Sequence, residues 1–136
     1  MLGDFMMELC SIGINDISIK NMVDSVPEIK DLSEKDIVDK INFLKKLGCS
    51  ENQIVNIICS NPRFLCRTST GLINLIYGLS DFGFSEFNIL LDSNPYILNL
   101  EFFEVNNYIN TMLNNGALLE DIVDNLDSNP YLFNEM

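Results

Sequence analysis

A chain of 136 residues fits one domain, and a hydrophobic content of 47% supplies the core that a disordered composition lacks. The net charge of −12 is lopsided: all eight Lys and Arg lie at or before Arg67, and residues 68–136 carry ten acids and no base. Such a half repels phosphate backbones and anionic membranes and attracts basic surfaces, and it also keeps an apolar protein soluble.

The opening "MLGDFMMELC" is acidic and lacks the basic, then apolar, build of a secretory signal. No apolar run reaches the ~18–20 residues that cross a bilayer. The expectation is a cytoplasmic protein with reduced thiols. Cys10, Cys49, Cys59 and Cys66 form no CxxC pair, and the chain has no histidine, so a zinc site is not expected. The cysteines read as small hydrophobes.

From Gly13 onward the chain repeats. Pro27, Pro62 and Pro95 each stand 21 residues before a glycine: Gly48, Gly83 and Gly116. From Gly13, Gly48, Gly83 and Gly116 to the next proline the distances are 14, 14, 12 and 14. The period is therefore 33–35 residues, the range of helical repeat arrays. The copies read "SIGINDISIKNMVDSVPEI", "KLGCSENQIVNIICSNPRFL", "DFGFSEFNILLDSNPYIL" and "NNGALLEDIVDNLDSNPYLF".

The spacing predicts the elements in turn. Ile37, Ile41 and Leu44, then Leu72, Leu75, Ile76, Leu79 and Phe82, then Phe102, Val105, Ile109 and Met112 mark apolar faces of long helices. Each long helix ends at its glycine, with an apolar residue just beyond: Ile14, Cys49, Phe84 or Ala117. A short helix follows, capped by Asn15, Ser50 or Ser85, and Ser50 with Gln53 forms a capping box. Leu118 holds that place in the last copy and cannot cap. Asp16, Glu51, Glu86 and Glu120 fall in the first turn, where an acid offsets the helix dipole.

The short helix stops before proline, because the preceding residue is pushed out of the α region. Asn94 and Asn129 are candidate caps for the new turn that proline opens. Phe64 and Leu65, Ile97 and Leu98, and Leu132 and Phe133 then anchor that turn in the core. Thr68, Ser69, Thr70 and Asn99 are candidate caps of the next long helix. No sustained alternation of period two appears. The reading is an all-α, short helical-repeat solenoid over 1–136. It has about three and a half units of helix, helix and 3₁₀ turn, with approximate bounds 1–32, 33–67, 68–99 and 100–136.

"FLKKLGCSENQIVNIICSNPRFL" resembles the repeat of the mitochondrial transcription termination factor (mTERF) family, LxxLGxSxxxIxxIIxxxPxxL, and "LSDFGFSEFNILLDSNPYIL" repeats it with two residues deleted. The resemblance covers roughly residues 5–136. It implies a left-handed superhelix and non-catalytic binding of nucleic acid along a basic, concave groove. This chain departs from that pattern, since its last two repeats carry no base and nucleic-acid affinity rests on phosphate neutralisation.

Without histidine there is no Ser–His or Cys–His nucleophile pair, and "GLSDFG" at 78–83 lacks the GK[ST] ending of a phosphate loop. No enzyme and no cofactor are expected. The candidate partner-binding acids are Asp92, Glu101, Glu104, Glu120, Asp121, Asp124 and Asp127. The candidate basic patch is Lys40, Lys45, Lys46, Arg63 and Arg67, weighed against Lys35, Lys40, Lys45 and Lys46 as the solvated face of one helix. The favoured function is a protein-interaction module with a basic protein partner. The alternatives are nucleic-acid binding, or an acidic decoy that blocks a nucleic-acid-binding protein. Open repeat ends also allow self-association.

Overall fold

Gly13, Gly48, Gly83 and Gly116 all hold φ between +90° and +114°. That is left-handed backbone, open to glycine and costly to residues with a Cβ. In the computed structural model, which describes residues 4–136, each of these glycines closes a helix in the same way. The Gly48 N–H donates to the Lys45 carbonyl at 3.0 Å, and the Cys49 N–H reaches back to the Leu44 carbonyl at 3.1 Å. The same pair of bonds recurs at Gly13, Gly83 and Gly116. Orphan carbonyls at the helix end are thereby satisfied.

The elements are α1 (Asp4–Ser11), α2 (Asp16–Ser25) and the 3₁₀ turn η1 (Pro27–Asp31); α3 (Glu34–Lys46), α4 (Glu51–Ser60) and η2 (Pro62–Cys66); α5 (Ser69–Phe82), α6 (Phe87–Ser93) and η3 (Pro95–Asn99); and α7 (Phe102–Asn114), α8 (Leu119–Ser128) and η4 (Pro130–Glu135). The order helix, helix, 3₁₀ turn thus recurs along the chain, and no strand occurs among the described residues. Residues 1–3, where the first predicted unit begins, lie outside the described residues.

The expected apolar faces are buried. Ile37, Ile41 and Leu44 of α3, Leu72, Leu75, Ile76 and Leu79 of α5, and Val105 and Ile109 of α7 join one core. Ile29, Phe64, Leu65, Ile97, Leu98 and Phe133 of the turns are fully enclosed. Each such side chain contributes ~1.5–3 kcal/mol of hydrophobic burial. The turns η1 to η4 touch one another in sequence. The long helix α5 meets α7 through Gly78, where a Cβ would collide with the Phe102 ring. Phe102 also lies against Phe82, with ring centroids 6.0 Å apart.

Asn15 and Ser50 cap their helices as expected, Ser50 in a full box with Gln53, and Thr68 caps α5. Ser33 forms a second box with Asp36, which the sequence reading passed over. Four expected caps are corrected. Ser85 makes no capping bond, because the two-residue deletion shortens α6 to 7 residues and Glu86 becomes its N-cap instead of a first-turn acid. Asn99 ends η3, and Glu101 stands at the start of α7 in its place. Asn94 and Asn129 make no capping bond to the turns they precede.

Candidate interaction surface

The asparagines before Pro62 and Pro95 span units. Asn61 Nδ2 donates to the Pro95 carbonyl at 3.0 Å, and Asn94 Nδ2 to the Pro130 carbonyl at 2.8 Å. Asn61 and Asn94 are only 2% and 4% exposed, so these bonds are made where water cannot substitute. Asn94 also donates to Asn134 Oδ1 at 3.1 Å. Asn129 turns back to the Asn125 carbonyl at 3.3 Å. Val26 fills the place in the first unit and offers no amide.

Arg67 is a second inter-unit tie. Its Nη1 donates to the carbonyls of Leu98 and Leu100 at 2.7 and 2.6 Å, and its Nη2 meets Glu101 Oε1 at 2.8 Å. Its side chain is 12% exposed. This base therefore holds η3 and the start of α7 and is not a free basic group. Lys40 is also removed from the candidate patch. It is 4% exposed, so it is not part of a solvated face, and desolvation lowers its pKa from the ordinary value despite Asp36 and Asp39 nearby. Lys35 pairs with Asp39 at 2.9 Å. Lys45, Lys46 and Arg63 are exposed.

The acids divide in the same way. Glu104 accepts the Glu101 N–H at 3.0 Å, and Glu101 pairs with Arg67. Asp92 Oδ1 accepts the Asn56 amide at 2.8 Å, joining α6 to α4. These three carboxylates are committed to the fold. Glu120, Asp121, Asp124 and Asp127 are different. All four are exposed on α8, and none makes a hydrogen bond or ion pair among the described residues. Opposite them Ile122, Val123 and Leu126 are buried. Helical spacing keeps the apolar and acidic residues on separate sides.

Apolar groups missed by the sequence reading are also exposed. Ile73 and Tyr77 project from α5 and Phe103 from α7, while Tyr96 and Tyr131 follow the prolines of η3 and η4. A cleft of about 430 Å³ lies between α3 and α5, lined by Phe43, Lys46, Leu47, Ile73 and Tyr77. One of about 420 Å³ lies between α5 and α7, lined by Tyr77, Asp81, Glu101, Phe102 and Phe103. A third, of about 450 Å³, lies by the turns among Asn21, Cys59, Arg63, Tyr96 and Asn99. The recurrence of Tyr after "SNP" was the one available sign of this surface.

Of the thiols, Cys59 lines the turn-side cleft. Burial, with Asp92 nearby, pushes the Cys49 thiol up to about 11, and burial also raises Cys59 and Cys66. A thiol held protonated is a weak nucleophile and ligand. No group of three His, Cys, Asp or Glu side chains suited to a metal occurs among the described residues, and no described helix is long and apolar enough to cross a membrane.

A search of curated proteins returned no match. The mTERF family model, in contrast, matches residues 3–133, nearly the whole chain. With its all-helical repeat and recurring glycine and proline stops, the chain belongs to the mTERF family.

Proposed function

We propose that this chain is a non-catalytic binding module whose α8 face takes a basic protein partner. The observation that carries the reading is the set of four exposed, unpaired carboxylates on α8, in a half of the chain without Lys or Arg. Their field attracts cations at long range and raises the rate of encounter. A nucleic-acid-binding protein is one partner of that charge, so the decoy reading is a special case. The test is retention of proteins from the source cell on immobilised chain, compared with a variant carrying E120Q, D121N, D124N and D127N. Selective loss of basic proteins from the variant supports the reading, and equal retention removes it.

A second reading is nucleic-acid binding. Its support is family membership together with exposed Arg63 beside Tyr96 on the turn-side cleft, a cation and an aromatic ring on which a base could stack. Titration with generic single- and double-stranded nucleic acid at low salt decides it, since low salt favours such binding most. Binding lost on Arg63→Ala and Tyr96→Ala supports it; no binding eliminates it.

A further inference from the structure

The α7–α8–η4 repeat differs from those before it on one side. The residue before the stop glycine is partly buried Ile12, Leu47 and Phe82 in turn, and then exposed Asn115. Counted from the proline, Met22, Ile57 and Leu90 of the short helices are buried, and Asn125 at the same place is exposed. Beyond the proline, Leu32, Arg67 and Leu100 are partly buried, and Glu135 is exposed.

These places face the following repeat. Phe82 packs on Phe102 of the next long helix, and Met22 shares a cleft with Cys59 and Asn61 of the next repeat. Arg67 donates to the Leu98 and Leu100 carbonyls. The last repeat therefore turns polar groups outward on the side where the earlier repeats stack, while Ile122, Val123 and Leu126 remain buried.

The exchange also reverses the sense of the hydrogen bonds. Across one junction the Asn56 amide donates to Asp92 Oδ1 at 2.8 Å. Asp124 holds the place of Asn56 in the last repeat, and Asp24 holds the place of Asp92 in the first. A second copy stacked end to end would set one carboxylate against the other. Glu135 would bring an acceptor to the carbonyls of Lys30 and Leu32, the counterparts of those that Arg67 satisfies. Covering an ionised carboxylate without a partner is costly.

We propose that the α7–α8–η4 repeat is a cap, in which Asn115, Asp124, Asn125 and Glu135 close the outward face to end-to-end stacking by a second copy. Terminal repeats with a polar outer face serve repeat arrays in this way. The self-association that open ends allow is refused at this one.

The test is sedimentation velocity on the full chain over a wide concentration range. End-to-end contacts do not close on themselves, so they appear as growth beyond a dimer. Wild type should show none. A variant carrying N115F, D124N, N125L and E135R, all at exposed positions, should sediment faster as concentration rises. Returning Asp124 and Glu135 to that variant should abolish the growth, which separates stacking from unspecific clumping. Circular dichroism checks that each variant is folded; if the four-fold variant is not, N125L with E135R is read in the same way. Growth of wild type beyond a dimer, a rebuilt variant that does not grow, or growth that survives the two restored carboxylates overturns the proposal. The experiment contains no partner, so its outcome leaves the α8 reading to the retention test.

Discussion

The Asn94 side chain donates to the carbonyl of Pro130, 36 residues away, at 2.8 Å, and Asn61 does the same to Pro95 at 3.0 Å. The asparagine of the first and second "SNP" thus reads the proline of the next. Both asparagines are buried, so the bond fixes how one turn stacks on the next. Asn94→Ala leaves the Pro130 carbonyl without this donor and should cost about 1–3 kcal/mol in urea denaturation. Asn129→Ala, which loses only local, exposed bonds to Asn125 and Tyr131, should cost less than about 0.5 kcal/mol. Equal losses at the two positions would show that the inter-unit bond is not what matters.

Gly78 is required by packing and not by backbone conformation. Its Cβ position is occupied by the Phe102 ring. Gly78→Ala should destabilise by about 1–3 kcal/mol through overpacking, although alanine is the better helix former. The double variant with Phe102→Leu should recover part of that loss, which a double-mutant cycle measures.

Arg67→Lys keeps the charge and loses the fork that reaches Leu98, Leu100 and Glu101 together. Stability should fall by about 1–3 kcal/mol in chemical denaturation. If lysine serves as well as arginine, charge alone was the contribution.

Lys40 gives a pH signature. Its folded pKa is lowered by desolvation, so between that value and the ordinary 10.5 the unfolded chain binds more protons than the folded one. In that window stability contributed by this residue rises with pH, and at neutral pH the buried ammonium opposes folding. Lys40→Met should raise the urea midpoint at pH 7, and the difference between the two proteins should shrink as pH climbs toward 10.5. The raised thiol pKa of Cys49 acts in the opposite sense in the wild type and the variant alike, and cancels in the difference.

Much of this fold was legible because its punctuation is local. A glycine two residues before a cap, or a proline after a helix, acts on its own neighbours, so Gly13, Gly48, Gly83 and Gly116 announce their turns. The site was less legible because its residues are sorted by partners far along the chain. Asp92 looked like a partner-binding acid, and it is an acceptor for Asn56, 36 residues earlier. Arg67 looked like a free base, and it is tied to groups 31–34 residues later. Lys40 shares its helix with solvated lysines, and only the folded structure reveals its burial. The four acids of α8 are exposed because the helix period alone turns them away from Ile122, Val123 and Leu126.

The central claim is that those four carboxylates, and not the basic groups before Arg67, bring this chain to its partner. The most direct measurement is protein retention on immobilised wild type and on the E120Q, D121N, D124N, D127N variant, run at low and at high salt. Wild type should retain basic proteins at low salt and lose them as salt screens the contact, and the variant should retain about 10-fold less at low salt. Retention that ignores both the salt and the four substitutions would contradict the account.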